Sequence, residues 1–119
     1  NLFLFAGHDT TSATLAWASA MLAQSPEVQQ QLCEEVSAVP VGEMQAKLQD
    51  ARAFPFLNAV IKETLRLQGP APIVVRRAKY DEEIGGFSFP AGTSFVPSIA
   101  AVHRDPTVFQ AADEFLPQR

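Results

Sequence analysis

The sequence of 119 residues is poor in cysteine, histidine and charge. It contains one cysteine and two histidines, which excludes a disulfide framework and a Cys-x-x-Cys metal site and is typical of a reducing compartment. Charged residues make up only 18% and the net charge is −4, so the basic excess of most nucleic-acid-binding proteins is missing. We therefore expect no nucleic-acid partner. Hydrophobic residues make up 47%, a proportion that excludes a disordered chain.

Charge is scarcest in residues 1–24, where Asp9 is the only formally charged side chain. A helix that is apolar nearly all round is either buried in a large protein or spans a membrane. A carboxylate near the middle of a span costs about 2.5–3.5 kcal/mol, so we favour the buried helix over the span. A chain of 119 residues has little room to enclose such a helix. The sequence starts at Asn1 without a charged n-region, so no signal peptide is predicted, and we expect the chain to be an internal piece of a longer protein.

The remaining pattern predicts three further helices. The second helix begins at Ser25-Pro26, where a serine cap precedes a first-position proline, and Pro40 and Gly42 are expected to end it. A weaker helix over 43–49 and a strong helix over 57–68 follow. The apolar stripe predicted for the last helix consists of Leu57, Ile61 and Leu65, with Ala59 and Val60 alongside.

After the last of these helices the sequence predicts short strands and turns, and six of the nine prolines lie there. Strands are predicted over 73–78 and 94–96, and Gly85-Gly86 predicts a hairpin turn. The expected fold class is therefore mainly α with a small β-sheet portion. Its helical part covers 1–69 and its strand-containing part covers 70–119.

Residues 6–11, Ala-Gly-His-Asp-Thr-Thr, place a glycine, an acid and hydroxyls inside the apolar first helix. Glycine in a helix interior costs about 1 kcal/mol relative to alanine, and hydroxyls can bond back to carbonyls one turn earlier and bend the helix. One interpretation is a bend with a satisfied polar pocket, the commoner state of buried polar groups. The other is a site where a ligand approaches the backbone and receives protons from the acid–alcohol pair, Asp9 and Thr10.

Glu63 and Arg66 are three residues apart and share one face of the predicted 57–68 helix. Most such pairs are solvated bridges worth about 0–1 kcal/mol, and that is the simpler interpretation. Leu65 and Leu67 flank Arg66, which makes a buried pair the alternative. A buried pair needs further hydrogen bonds, so Glu63 would then recruit a second arginine.

Three other features have weaker interpretations. Arg76 and Arg77 lie on opposite faces of a predicted strand, so that one binds an anion in a pocket, or both are edge charges that block aggregation. Cys33 is expected to pack beside Leu32 or to lie at the margin of that contact. The two histidines are far apart and neither belongs to a ligand-spacing motif, so no side-chain metal site is predicted.

The order and spacing of these motifs resemble the cytochromes P450, the haem-thiolate monooxygenases. Residues 6–11 resemble the oxygen-binding groove motif of the family's long central helix, and residues 63–66, Glu-Thr-Leu-Arg, resemble its Glu-x-x-Arg motif. Arg76 and the turn-rich stretch 81–93 resemble the haem-propionate arginine and the hairpin that follows it.

The end of the chain also resembles this family. Residues 103–106 and 115–119 resemble the approach to the meander, although Gln118 stands where the family usually has glutamate. Four motifs in the family's order make the resemblance specific. It implies a partial cytochrome P450 fold in which 1–119 is a fragment of one domain and 70–119 forms its β-hairpin and meander part.

The resemblance implies a role for each matching residue. Asp9 and Thr10 form the catalytic proton relay, with the Thr10 hydroxyl beside the bound oxygen. Glu63, Arg66 and Arg119 form a structural charge triad that locks the helix to the meander and retains the haem. The implied cofactor-binding residues are Ala6 and Gly7, which leave room for dioxygen and substrate, and Arg76, which pairs with a haem propionate.

The family's haem-binding loop and its axial cysteine are absent from these residues and are expected beyond Arg119. No iron ligand is therefore predicted within the chain, and Cys33 is not a substitute because it follows the oxygen groove. The implied cofactor is haem b, and NADPH acts indirectly through a reductase.

The implied parent enzyme is an oxidoreductase that inserts one oxygen atom from O2 into a small hydrophobic organic substrate. We expect a diflavin reductase as electron donor and, if the parent is a eukaryotic microsomal member, an N-terminal anchor outside the chain that holds it on the cytosolic face of the endoplasmic reticulum membrane. Residues 1–119 alone are expected to be inactive. The alternative is a non-enzymatic helical interaction module.

Overall fold

A computed structural model describes residues 2–50 and 52–119. Within these residues the chain is mainly helical with four short strands, so the expected fold class is confirmed. The helices are α1 (Leu2–Gln24), α2 (Pro26–Ser37), α3 (Val41–Lys47), α4 (Pro55–Gln68) and α5 (Ile99–His103). The strands are β1 (Arg76–Arg77), β2 (Glu82–Ile84), β3 (Phe87–Phe89) and β4 (Ser94–Phe95).

The chain divides into two compact units. The helical unit comprises Asn1–Pro70 together with Asp113–Arg119, and the hairpin unit comprises Ala71–Ala112. In the helical unit α1, α2 and α4 pack against one another. The apolar side chains most completely removed from solvent there are Phe54, Val60 and Leu67.

The buried face of α4 differs from the predicted one. Val60, Glu63, Thr64 and Leu67 are buried, and their spacing of three, four and seven residues is that of one helix face. Val60, predicted to lie alongside the stripe, is 1% exposed, but the prediction that Ile61 and Leu65 form the inner face was wrong, since each is 37% exposed. The period was right but the face was not, because an ion pair occupies part of the inner face.

Helix α1 is continuous from Leu2 to Gln24, and its described side chains are partly covered only in its second half. Half-buried side chains occur there at Ala13, Thr14, Ala18 and Met21, whereas Phe3 is 94% exposed. This partial exposure agrees with the expectation that a chain of 119 residues has little room to enclose such a helix. Among the residues described, no helix combines the length and apolar character needed to cross a membrane.

The ends of the helices partly follow the sequence signals. Helix α4 stops at Gln68, and a Cβ built on Gly69 would lie 2.7 Å from the Leu65 carbonyl oxygen, so only glycine fits this exit. Ser25 precedes α2 but makes no side-chain cap hydrogen bond. Gly42 was expected to end α2, yet it lies inside α3.

The hairpin unit contains two antiparallel pairs, β1 with β4 and β2 with β3. Gly85 and Gly86 connect β2 to β3 with φ of 59° and 81°, which is why this tight turn takes two glycines. The predicted strand 73–78 is reduced to Arg76–Arg77, with an isolated bridge from Ile73 to Ser98.

Candidate functional site: a hydroxyl-bearing helix and a buried charge triad

The first set of predicted site residues lies on one exposed stretch of α1. The Thr10 hydroxyl donates to the Ala6 carbonyl at 2.7 Å, and the Thr14 hydroxyl donates to the Thr10 carbonyl at 2.8 Å. These bonds to the preceding turn leave the helix unbroken. A Cβ built on Gly7 would meet nothing within 4 Å, so the surface beside Thr10 is open.

Asp9 is paired with its neighbour rather than with Thr10. Its Oδ1 lies 3.1 Å from His8 Nδ1, and the two side chains are 53% and 80% exposed respectively. No hydrogen bond joins the Asp9 and Thr10 side chains among the described residues. The structure therefore places Ala6, Gly7, Asp9 and Thr10 together on α1 without linking the acid directly to the alcohol.

The second set is drawn together from distant parts of the sequence. Arg66 binds the Glu63 carboxylate with both ends of its planar fork, Nε to Oε2 at 2.8 Å and Nη2 to Oε1 at 2.9 Å. Arg119 Nε donates to Glu63 Oε1 at 2.9 Å. Glu63 is 4% exposed and Arg66 is 6% exposed. The simpler interpretation of this pair as a solvated bridge is therefore wrong, and the buried alternative describes its geometry.

The backbone of the terminal segment completes the triad. The Leu116 N–H donates to Glu63 Oε1 at 3.0 Å. The Glu114 carbonyl accepts from Nη2 of both arginines, each at 3.1 Å. Charged groups that leave water need such a full set of partners, and no buried side-chain nitrogen or oxygen lacks one among the described residues.

The electrostatics of the triad favour the charged form of Glu63. Burial on its own raises the pKa of Glu63, but the hydrogen bonds from Arg66, the Leu116 N–H and Arg119, with the positive charge of Arg66, outweigh burial. The pKa of Glu63 is therefore held below its ordinary value of 4.5.

The remaining predicted residues lie at the surface. Arg76 and Arg77 are both exposed, and Arg76 Nη1 donates to the Val75 carbonyl at 3.1 Å, so neither arginine is buried in a pocket of the hairpin unit. Cys33 is exposed on α2 rather than packed beside Leu32. No group of three or more histidine, cysteine, aspartate or glutamate residues suits a metal within the described part of the chain.

One carboxylate that sequence reasoning missed joins two helices. Glu35 on α2 accepts from the N–H of Phe56 at 2.8 Å and from the N–H of Leu57 at 2.9 Å, both in the first turn of α4. The sequence does carry a partial signal for it. Helix α4 starts with Phe54-Pro55 and makes no side-chain cap hydrogen bond of its own, so its first N–H groups need an acceptor from elsewhere.

Comparisons with known proteins agree with the motifs. The sequence profile of cytochrome P450 matches residues 1–119. The chain is 41% identical to cytochrome P450 4d2 of Drosophila melanogaster and 44% identical to mitochondrial sterol 26-hydroxylase of Homo sapiens, in each case over 98% of the chain. The chain belongs to the cytochrome P450 family, a family of haem-dependent monooxygenases.

Solved structures give the same family and fold. A zebrafish cytochrome P450 determined with progesterone superposes with a TM-score of 0.86 at 32% identity, covering 98% of this chain and 28% of that one. A second zebrafish structure, with abiraterone, gives a TM-score of 0.84 at 28% identity and the same coverage. The expectation of a partial cytochrome P450 fold is confirmed. The chain spans about a quarter of the length of the curated relatives, 24% of the fly protein and 22% of the human one.

Proposed function

We propose that the chain forms the oxygen-groove and charge-triad portion of a monooxygenase that inserts one oxygen atom of O2 into an organic substrate. The observation that carries this proposal is the polar interruption of α1. Asp9 and Thr10 lie beside Gly7, which has no neighbour within 4 Å of its missing side chain. An apolar helix with a carboxyl, a hydroxyl and open space at one level suits a small ligand that must receive protons.

Features of each unit, taken separately, suit one part of haem, an apolar disc with two carboxylates. Phe3 and Leu4 are 94% and 77% exposed at the start of α1, and Gly7 leaves room for a flat group against the helix backbone. The exposed guanidinium of Arg76 suits a propionate, because arginine binds carboxylates with a planar fork. We assign Ala6, Gly7 and Arg76 as residues that hold haem b.

When bound, haem supplies the oxidation of the substrate, with a cysteine thiolate on its iron. We propose that this cysteine lies beyond Arg119, because Cys33 is exposed on α2 and the family's cysteine-containing pattern is absent from 1–119. No step of the reaction is assigned to Cys33.

The protein's own contribution at α1 is the handling of protons. The hydrogen of the Thr10 hydroxyl is directed to the Ala6 carbonyl at 2.7 Å, so Oγ1 presents its lone pairs to the open side of the helix and accepts a proton-bearing partner there. Asp9, next in the chain, is exposed to solvent and lies 3.1 Å from His8 Nδ1, so its carboxyl is placed to pass protons between solvent and this stretch of the helix. Delivery from Asp9 to the Thr10 level therefore passes through water or a small rotation of the Asp9 side chain.

The charge triad has a structural role in this proposal. Glu63 and Arg66 fix the segment 114–119 onto α4 through its backbone as well as through Arg119. The iron-binding loop is expected to follow that segment, so a fixed segment favours retention of haem. The triad contributes to folding and haem retention and does not touch reacting atoms.

The substrate is proposed to be a small hydrophobic molecule that contacts the His8 region of α1 and residues 71–75. Apolar side chains in the latter stretch are exposed, with Ile73 at 53% and Val75 at 61%. Two of the similar proteins are consistent with an apolar substrate, since one is named a sterol hydroxylase and another was solved with progesterone.

Electrons are proposed to come from NADPH through a diflavin reductase, with the parent anchored on the cytosolic face of the endoplasmic reticulum membrane by a segment outside this chain. A mitochondrial location is the alternative. It is favoured by the 44% and 47% identity to the human and mouse proteins named as mitochondrial sterol 26-hydroxylases. Fractionation of cells that express the full-length protein distinguishes the two locations.

Residues 1–119 alone are proposed to be inactive. The competing function for this chain by itself is a non-enzymatic helical interaction module, which the exposed apolar side chains of α1 and the 92% exposed Val41 favour. Large exposed apolar patches commonly mark interaction surfaces.

The test uses the full-length protein that carries this sequence, supplied with NADPH, reductase, a panel of sterols and fatty acids, and ¹⁸O2. A monooxygenase places one labelled atom in the product and the other in water. Product labelled from water, or no oxygenated product with a protein that binds haem, contradicts the proposed reaction. A protein that binds no haem supports the interaction module.

A further inference from the structure

We infer that Glu35 is a positioning residue that sets the rotation of α4 and thereby holds Glu63 in register with the terminal segment. Glu35 lies on α2, one helix away from the triad, and its two carboxylate oxygens take different partners. Oε1 accepts from the Phe56 N–H at 2.8 Å and Oε2 accepts from the Leu57 N–H at 2.9 Å. No residue role in the family resemblance or in the proposed function uses this side chain.

The need for Glu35 follows from how α4 begins. Pro55 occupies the first helical position and has no N–H, and Phe54 before it makes no side-chain cap hydrogen bond. The next two N–H groups, of Phe56 and Leu57, would otherwise lack partners inside the helix. Glu35 satisfies both and places a negative charge at the positive end of the helix.

A carboxylate that binds two successive N–H groups fixes a helix more narrowly than a single bond does. Successive residues are about 100° apart around a helix axis. If Glu35 bound the N–H groups one residue further along α4, the helix would therefore be rotated by that angle. Glu63 lies six residues after Leu57, about 9 Å along the axis. The same rotation would carry its carboxylate away from the Leu116 N–H that it now accepts at 3.0 Å.

The bonds at the two ends of α4 therefore depend on one rotation of the helix. Glu35 fixes it against α2, and Glu63 uses it to bind the terminal segment. Between them the inner face is tightly enclosed, with Val60 1% and Thr64 0% exposed, and such close packing favours one rotation of the helix along its length.

The test is amide hydrogen exchange in the full-length protein, comparing Glu35→Gln with Glu34→Gln. Glu34 is the adjacent residue on α2, is exposed, and its side chain bonds Gln30 on the same helix. A glutamine at 35 keeps one acceptor oxygen but turns an NH2 group toward a backbone N–H donor. The Ala78 N–H, bonded to Thr93 in the hairpin unit, serves as the internal reference for exchange outside the helical unit.

We expect Glu35→Gln to accelerate exchange at Phe56 and Leu57, and also at Leu116, at least about tenfold relative to Ala78, while Glu34→Gln changes none of these amides. Acceleration at Phe56 and Leu57 with an unchanged Leu116 overturns the inference, because it shows a local cap only. No acceleration at any of the three also overturns it. If Glu35→Gln does not fold, Glu35→Asp, which keeps both oxygens on a shorter side chain, is measured against the same expectations.

A second readout connects the inference to haem. In the haem-loaded protein we expect Glu35→Gln to speed transfer of haem to an excess of scavenger protein at least about fivefold, with Glu34→Gln unchanged. Equal rates in the two variants overturn the haem part of the inference. That part rests on the proposed function, whereas the amide readout does not. A full-length protein that binds no haem, yet shows the coupled amides, contradicts the proposed function and leaves the role of Glu35 standing.

Discussion

At the scale of single residues, Glu63 shows how a charge is tolerated inside a small helical unit. Two guanidinium groups and a backbone N–H surround its carboxylate at 2.8–3.0 Å. Taking ions out of water costs several kcal/mol each, and only such a complete shell offsets this. The pKa of Glu63 is consequently lowered despite its burial.

The lowered pKa of Glu63 predicts acid sensitivity. The unfolded chain has the ordinary carboxyl value of 4.5 and the folded chain a lower one, so below 4.5 the unfolded state binds more protons. The stabilising contribution is therefore fully present above pH 4.5 and is lost as the pH falls through the folded pKa. We therefore expect the urea concentration at the midpoint of unfolding, measured between pH 7 and pH 3, to decrease in the wild type once the pH is below 4.5.

Glu63→Gln should reduce the loss of stability between pH 4.5 and pH 3. It should also lower the free energy of unfolding at pH 7 by about 3–5 kcal/mol, the usual cost of breaking a buried ion pair. Glu83→Gln, which removes an exposed carboxylate on β2, is the matched control. An equal loss of stability at acidic pH in Glu63→Gln and in the wild type would show that other groups control acid unfolding.

Arg66 should not be replaceable by lysine. Its fork binds both oxygens of Glu63, and Nη2 also reaches the Glu114 carbonyl at 3.1 Å. A lysine ammonium offers no planar fork, so Arg66→Lys should lose about 1.5–3 kcal/mol of stability, the usual contribution of a hydrogen bond to a charged group.

Arg66→Ala should lose more stability than Arg66→Lys and should prevent stable haem incorporation in the full-length protein. Urea unfolding and haem-to-protein ratios measure both, and a lysine variant as stable as wild type contradicts the geometry.

At the scale of elements, the exit of α4 depends on Gly69. Its backbone is extended, with φ of −65° and ψ of 140°, which any residue before a proline can adopt. The restriction is instead steric, because a Cβ would approach the Leu65 carbonyl oxygen to 2.7 Å. That oxygen belongs to the backbone and cannot move aside without disturbing the last turn.

Gly69→Ala should therefore destabilise the helical unit by about 1–3 kcal/mol, the usual cost of forcing an extra carbon into a packed site. The control is Gly42→Ala in α3, where a Cβ meets nothing within 4 Å and a small gain of up to about 1 kcal/mol is expected. Thermal unfolding of the two variants should shift in opposite directions. A Gly69→Ala variant as stable as Gly42→Ala would show that the last turn of α4 relaxes freely.

Elements were predictable from sequence where their signals are local. Pro26, Gly69 and Gly85-Gly86 mark helix and hairpin ends for local reasons. Proline fixes φ, Gly85 and Gly86 adopt positive φ, and Gly69 leaves no Cβ against the Leu65 carbonyl oxygen. The buried face of α4 was not predictable in the same way. Ile61 and Leu65 are more apolar than Glu63. The inner face suits a carboxylate because Leu116 and Arg119, more than 50 residues later, join Arg66 in binding it.

The candidate site, too, was predictable where its signals are local and not where they depend on packing. The motif 6–11 is contiguous, so its placement on one stretch of helix follows from sequence alone. The partnership of Asp9 with His8 rather than Thr10 depends on rotamers, which sequence does not specify. Glu35 is one of several acids on α2, and only packing of α2 against α4 selects it.

At the scale of the whole molecule, large apolar side chains are exposed in a chain that corresponds to only part of the length of its relatives. Trp17 is 46% exposed and Leu15 63% exposed on α1, while the chain covers 22–24% of the curated relatives. The helix is thus apolar enough for a protein interior, although among its described side chains only those of the second half include half-buried ones. The function assigned to its open half is the central claim, and it is tested at Thr10.

The most direct test is the ratio of oxygenated product to NADPH consumed by the full-length enzyme carrying Thr10→Ala. Thr14→Ala is the matched control, because Thr14 makes the same bond to a carbonyl one turn earlier, at 2.8 Å, and has no assigned role in proton delivery. We expect Thr10→Ala to lower the ratio several-fold while NADPH consumption continues and more hydrogen peroxide is released. Thr10→Ser should restore most of the ratio, and Thr14→Ala should leave it unchanged. A ratio in Thr10→Ala equal to that of the wild type would contradict the assignment of α1 as the oxygen groove.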